Sequence, residues 1–155
     1  MTKNETDERR AAMALLAAAT ARELDSAWTA WPERPAVEDL RKAACGLVMV
    51  RGRIGGDGAP FNLGEATVTR AAVRLSTGHI GHAYLLGRAP ERARLAAIFD
   101  ALWQDVSARP RVDTELLAPV RARLAAEAAK AVAEAAATRV EFFTVTRGDN
   151  QEAAS

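Results

Sequence analysis

Hydrophobic positions recur along this chain with two periods, helical near both ends and strand-like between about residues 46 and 90. Met13, Leu16, Thr20 and Leu24 lie three or four apart behind the acidic turn Glu5, Asp7 and Glu8, which predicts a helix capped by Thr6 or Asp7 and running to about Leu24. Asp25-Ser26 offers a fresh cap for a short second helix carrying Trp28 and Trp31, whose spacing puts both rings on one face as a packing seam. Trp31-Pro32-Glu33-Arg34-Pro35 ends that helix, because each proline removes a donor and disfavours helix in the residue before it. Val37 to Ala44 fits either a helical turn or an edge strand.

From Gly46 the period changes. Leu47-Val48-Met49-Val50 is a β-rich apolar run, extended by Arg51-Gly52-Arg53-Ile54 and stopped by Gly55-Gly56-Asp57-Gly58-Ala59-Pro60. In the next run, alternation places Thr67, Thr69, Ala71, Val73 and Leu75 on one face and Val68, Arg70, Ala72 and Arg74 on the other. Ser76-Thr77-Gly78 is short enough to return the chain as an antiparallel hairpin, with a third strand from His79 to Leu86.

Helical spacing resumes at Pro90, which suits a first helical turn, and Leu95, Ile98, Phe99, Leu102, Trp103 and Val106 form one apolar face to about Ala108. Arg109-Pro110 breaks it, Asp113 caps a turn before Pro119, and a long alanine helix with Val120, Leu124 and Val132 runs to about Ala137. Thr138 to Thr146 has a β composition and gains most by joining the central sheet. The expected fold is α+β: a central antiparallel sheet of about four strands flanked by N-terminal and C-terminal helices. One domain is expected over residues 1–150, with a disordered tail over 151–155.

Composition changes this picture in one respect. Of the 155 residues 36 are alanine, whereas Leu, Ile, Val and Phe together number 32, so the helices bury little area each and gain most when packed closely on another surface. That points toward an obligate subunit. The formal charge of +1 excludes a strongly basic nucleic-acid binder, and the single Cys45 suggests a reducing compartment. With no long apolar run and an acidic start unlike a signal peptide, the expected location is the cytoplasm, away from membranes.

Candidate chemistry concentrates between Gly46 and Arg88, which holds nine of the ten glycines, both histidines and five arginines. His79 and His82 are separated by an odd number on a strand, so they face opposite sides and cannot share a metal ion. Cys45 has no base near it in sequence, and no carboxylate pair stands out, with Asp57 and Glu65 isolated. No catalytic or metal-binding set is therefore assigned. Gly55, Gly56 and Gly58 resemble a phosphate cradle, yet the loop continues through Asn62 and Glu65 into another strand instead of opening a helix, which favours a shaped β-connection or interface element. Arg51 and Arg53 share a face of one strand, and Arg70 and Arg74 share a face of the next. Two readings stand for these four: bidentate contacts to phosphate or phosphonate oxygens or to a partner's carboxylates, or a solvated sheet face.

The segments GLVMVRGRIGGDGAPFNLGEATVTRAAVRL, GHAYLLGR, LAAIFDAL and TRVEFFTVTRGD, in that order, resemble the PhnG family of the bacterial carbon-phosphorus lyase system. Ala71, Ala89 and Ala12 stand where that family commonly has Cys, Asp and Trp. The resemblance implies a subunit that acts with PhnH, PhnI and PhnL to move the ribose 5-triphosphate of MgATP onto methylphosphonate with release of adenine. It also implies a core complex with PhnH, PhnI and the radical enzyme PhnJ. MgATP would be a substrate of the complex, with no cofactor bound by this chain and the nucleosidase activity residing in PhnI. An accessory or scaffolding role follows, with a second copy as a further candidate contact. The competing class is a stand-alone anion-binding or transferase domain that uses the arginine and glycine segment.

Overall fold

A computed structural model of the protein describes residues 3–55 and 57–137. The element order is α1 (Lys3–Ala18), α2 (Ala21–Thr29), β1 (Val37–Arg53), β2 (Pro60–Leu75), β3 (Ile80–Leu86), α3 (Pro90–Gln104), α4 (Arg109–Val112), a π-helical turn (Asp113–Leu117) and α5 (Ala118–Ala137). The chain falls into two compact units, Met1–Arg123 and Leu124–Ser155. The described part of the second unit is the continuation of α5, exposed at every residue from Ala125 to Ala137, Val132 included.

The fold is α+β. Among the described residues the sheet has three antiparallel strands in the order β1-β2-β3, so β2 is central. The fourth expected strand, Thr138 to Thr146, lies outside the described residues. Val37 to Ala44 is strand, so β1 starts well before Gly46. The two readings stood open because β1 lacks any buried residue, and with neither face sealed the strand shows no clean alternation. In β2 the expected alternation holds from Thr69: Thr69, Ala71, Val73 and Leu75 are buried, while Arg70 and Arg74 are exposed; before it, Val68, expected on the other face, is buried too and Thr67 is half-buried.

That buried face, with Gly81, Ala83 and Leu85 of β3, packs under α3. The approach is close because small residues meet. Ala93, Ala97 and Ala101 of α3 are fully buried, and a Cβ on Gly81 would overlap the Ala97 carbonyl oxygen and lie 2.6 Å from the Ala101 amide nitrogen. Thr69, the buried hydroxyl of β2, fixes the entry to α3 by donating to the Gly87 carbonyl at 2.6 Å and accepting from the Ala89 amide at 3.0 Å. Trp28 and Trp31 form the expected seam, each edge-on to Phe99 with centroids 6.3 and 6.0 Å away.

Several helix boundaries differ from the expectation. The first helix starts at Lys3 and stops at Ala18, and Thr20, not Asp25, caps α2, because Thr20-Ala21-Arg22-Glu23 is a capping box: the Glu23 amide donates to the Thr20 hydroxyl at 3.2 Å and the Thr20 amide to the Glu23 carboxylate at 2.7 Å. Helix α3 stops at Gln104, leaving Val106 exposed. The Asp105 carboxylate accepts from the amide and hydroxyl of Ser107, an alternative to helical bonding that also lowers the Asp105 pKa. Asp113 is no cap; it accepts the Trp103 indole N–H at 3.0 Å. The turn it begins widens so that the Ala118 amide reaches the Asp113 carbonyl, five residues back, which relieves the clash that Pro119 brings to an α-helical ladder.

Asp100 ties three elements together from within the core of α3. Its carboxylate accepts Nε and Nη2 of Arg9 in α1 at 3.0 and 2.7 Å and the His82 amide on the outer edge of β3 at 2.8 Å. These bonds hold the Arg9 guanidinium above its ordinary pKa. A polar residue inside an otherwise apolar helical run, between Phe99 and Ala101, was the available sequence signal for this latch.

Candidate functional site

The sheet continues past its helical cover. Beyond Cys45 and Thr69, β1 and β2 run on as an arm, with Leu47 opposite Thr67 and Met49 opposite Glu65. Through these pairings Leu47 and Met49 extend the side of the sheet that is buried at Thr69, Ala71 and Val73, yet here they are 59% and 54% exposed. After a register shift between Val50 and Arg51, the tip gathers Gly52, Phe61 and Leu63, and a Cβ on Gly52 would touch the Phe61 ring at 3.6 Å. Leu63 is 65% exposed, and Ile54, the residue after the end of β1, is 75% exposed. Burying such residues on a partner would gain about 25 cal/mol for each Å² of apolar surface.

The glycine loop closes this arm. Gly55 has a positive φ of 64°, and the Gly58 amide donates to the Ile54 carbonyl at 3.1 Å, where a Cβ on Gly58 would stand 2.5 Å from the same oxygen. The loop is a strand connection, and Gly56 lies outside the described residues. Asn62 pairs with Arg51 and Glu65 with Met49 along the arm.

The four arginines singled out in the sequence do not form one cluster. Arg51 sits opposite Asn62 and Arg53 opposite Pro60, whereas Arg70 sits opposite Ala44 and Arg74 opposite Glu38. Asn62 and Arg70 are roughly 25 Å apart at the ordinary rise of a strand. Arg74 is committed to Glu38, with Nη1 3.2 Å from the carboxylate.

Arg70 instead joins residues that the sequence pattern did not mark. On the face opposite α3, Arg41, Ala72 and His82 form one row across the three strands, and Ala44, Arg70 and Tyr84 form the next. Arg41, Arg70, Ala72, His82 and Tyr84, with Met13 of α1, line a cleft of about 340 Å³. Register shifts bracket Arg41 on both sides, and such irregularities re-aim side chains. Gly46 leaves room for Arg70, since a Cβ there would be 3.2 Å from its Nη2. A larger, mostly apolar cleft of about 640 Å³ opens alongside, between α1 and β3, sharing Met13, His82 and Tyr84. Cross-strand register, which the sequence does not print, creates the grouping.

No catalytic set emerges among the described residues. His79 precedes β3 and its Nδ1 lies 3.1 Å from the Thr77 hydroxyl, while Cys45 meets only the Thr69 hydroxyl, at 3.4 Å. No group of three His, Cys, Asp or Glu side chains is placed to hold a metal, and no helix is long and apolar enough to cross a membrane, among the described residues.

The family profile described as "Phosphonate metabolism protein PhnG" matches residues 7–148. The chain is also 57% identical over 143 residues to the alpha-D-ribose 1-methylphosphonate 5-triphosphate synthase subunit PhnG of Rhizobium meliloti (strain 1021), covering 92% of this chain and 91% of that relative.

Proposed function

The chain belongs to the PhnG family of phosphonate metabolism proteins, and from that membership we propose that it is the PhnG-type subunit of alpha-D-ribose 1-methylphosphonate 5-triphosphate synthase. In this role it works in the cytoplasm with PhnH, PhnI and PhnL, and within a core complex that includes PhnJ. The complex transfers ribose 5-triphosphate from MgATP to methylphosphonate and releases adenine. This chain contributes structure and holds no cofactor of its own.

One observation carries the structural role: a sheet whose core-facing side runs on, bare and apolar, past the end of its helices. A partner that sheathes Leu47 and Met49 on that side, and takes up the exposed Phe61 and Leu63 at the tip beyond the register shift, covers the arm's bare apolar surface. The small alanine-based core and the absence of a catalytic set among the described residues support the same role.

Co-expression with PhnH and PhnI followed by size-exclusion chromatography tests it. The wild-type chain is expected to co-elute with its partners, and a Leu47→Ser, Phe61→Ser, Leu63→Ser variant to elute apart from them while keeping its far-ultraviolet circular dichroism. A wild-type chain that elutes alone, or turns over ATP alone, overturns the subunit role. Co-elution of the triple variant moves the interface away from the arm.

A further inference from the structure

We propose that the open face of the sheet carries a binding site for a phosphoryl oxyanion, built from Arg41, Arg70, His82 and Tyr84 around a floor at Ala72. The site lies within one chain, so it does not rest on the assembly described above.

The floor and walls follow from the strand register. Arg41 and His82 flank Ala72 in one row, and Arg70 stands between Ala44 and Tyr84 in the adjacent row, so small side chains leave a recess among large polar ones. The recess is the cleft of about 340 Å³ closed at one end by Met13. Rows on one face of a strand lie about 7 Å apart and neighbouring strands about 4.8 Å apart, which puts the two guanidiniums within reach of one tetrahedral group.

Charge supplies the ligand class. Elsewhere on the molecule arginines meet carboxylates: Arg9 meets Asp100, Arg74 meets Glu38, Arg94 meets Asp39 and Arg123 meets Glu23. Arg41 and Arg70 form no ion pair among the described residues, and Glu38, a carboxylate on the same face, is already held by Arg74. Like charges brought together on one sheet face repel unless an anion joins them. A guanidinium fork binds two oxygens, and each of the three oxygens of a phosphoryl group accepts more than one hydrogen bond, so two arginines and the Tyr84 hydroxyl or a His82 ring N–H can share one group. Arg51 and Arg53 line neither of the two clefts described above, so the arm tip is the natural control.

Titration of the full chain with inorganic phosphate and with inorganic tripolyphosphate, at about 0.15 M salt to screen loose attraction, tests the site. Saturable binding is expected, weakened about tenfold or more in Arg41→Ala and in Arg70→Ala and unchanged in Arg51→Ala. A preference for tripolyphosphate identifies a polyphosphate chain as the ligand; equal binding identifies a single phosphoryl group. The proposal is overturned by an absence of saturable binding, by unchanged affinity in both cleft variants, or by an equal loss in Arg51→Ala. Displacement of phosphate by glutarate at the same concentration also overturns it, because the cleft would then be a seat for carboxylates.

Discussion

The two halves of the β1–β2 hairpin are built alike and covered differently. From Val68 to Leu75 the strand lies under α3, and Thr69 and Val73 are wholly shielded from water. From Leu47 to Leu63 the same ladder continues with apolar side chains of equal size, exposed by more than half at Leu47, Met49 and Leu63. Local sequence chemistry does not separate the halves; the point where α3 begins does, because the chain enters it at Ala89 and Pro90 beside Thr69 and then runs away from the arm, until Gln104 reaches the Ile80 carbonyl. The inward backbone groups of such an arm pair across β1 and β2 and the outward ones meet water, which leaves an apolar side free for a partner.

A pair of glycines breaks that comparison most sharply. Gly81 sits where the covered half meets α3 with no room for a methyl group, whereas Gly52 sits on the bare arm with ordinary contacts available. Gly81→Ala is expected to lose about 3 kcal/mol, lowering Tm by roughly 6–12 °C. Gly52→Ala is expected to change stability by less than about 0.5 kcal/mol. Calorimetry of both variants checks this; equal losses would mean that the arm is as tightly enclosed as the core.

Asp100 gives a second, smaller contrast. Asp100→Asn keeps an oxygen for the His82 amide and removes the charge that holds Arg9, which remains only partly open to water. A loss of about 2 kcal/mol is expected, below the roughly 3–5 kcal/mol of a broken buried pair because Arg9 can turn outward. Hydrogen exchange should quicken in β3 and α1 and stay unchanged from Gly46 to Leu63. Uniform acceleration across both halves would show that the latch acts on the whole molecule.

Much of the covered half was legible in the sequence, and for a definite reason. Thr69 to Leu75 alternates because one side is sealed, Trp28 and Trp31 are large and close to the Pro32 stop, and Phe99 falls in a helical apolar run. Where both faces are open, as from Val37 to Ala44, the pattern that distinguishes strand from helix disappears. Thr20 fits a helix interior by its spacing from Leu16 and Leu24, yet it caps α2 through Glu23 three residues on. The cleft at Arg41, Arg70, His82 and Tyr84 was illegible for another reason: its members come from three strands, and register decides which meet. Arg51, Arg53, Arg70 and Arg74 looked equivalent as pairs along the chain, yet the register sends them to opposite ends of a long hairpin and gives Arg74 a carboxylate.

Acid offers the finest test of the comparison, because the titrating group that is most perturbed belongs wholly to the covered side. Arg123 donates to the Glu23 carboxylate at 2.8 and 3.1 Å, and with the Thr20 amide and hydroxyl it lowers the Glu23 pKa from 4.5 to about 2. A carboxyl group depressed in the folded state stabilises it fully above pH 4.5 and loses that contribution as the pH falls toward 2. In Glu23→Gln the charge is gone at every pH, although the amide can still serve the cap. Wild type is therefore expected to melt a few degrees above Glu23→Gln at pH 7, with the difference shrinking between pH 4.5 and pH 3. Glu65→Gln, on the arm opposite Met49, is the control variant. Thermal melts of the two variants across this range decide it, and a Glu23→Gln difference that persists undiminished at pH 3 would assign the effect to the cap instead of to Arg123.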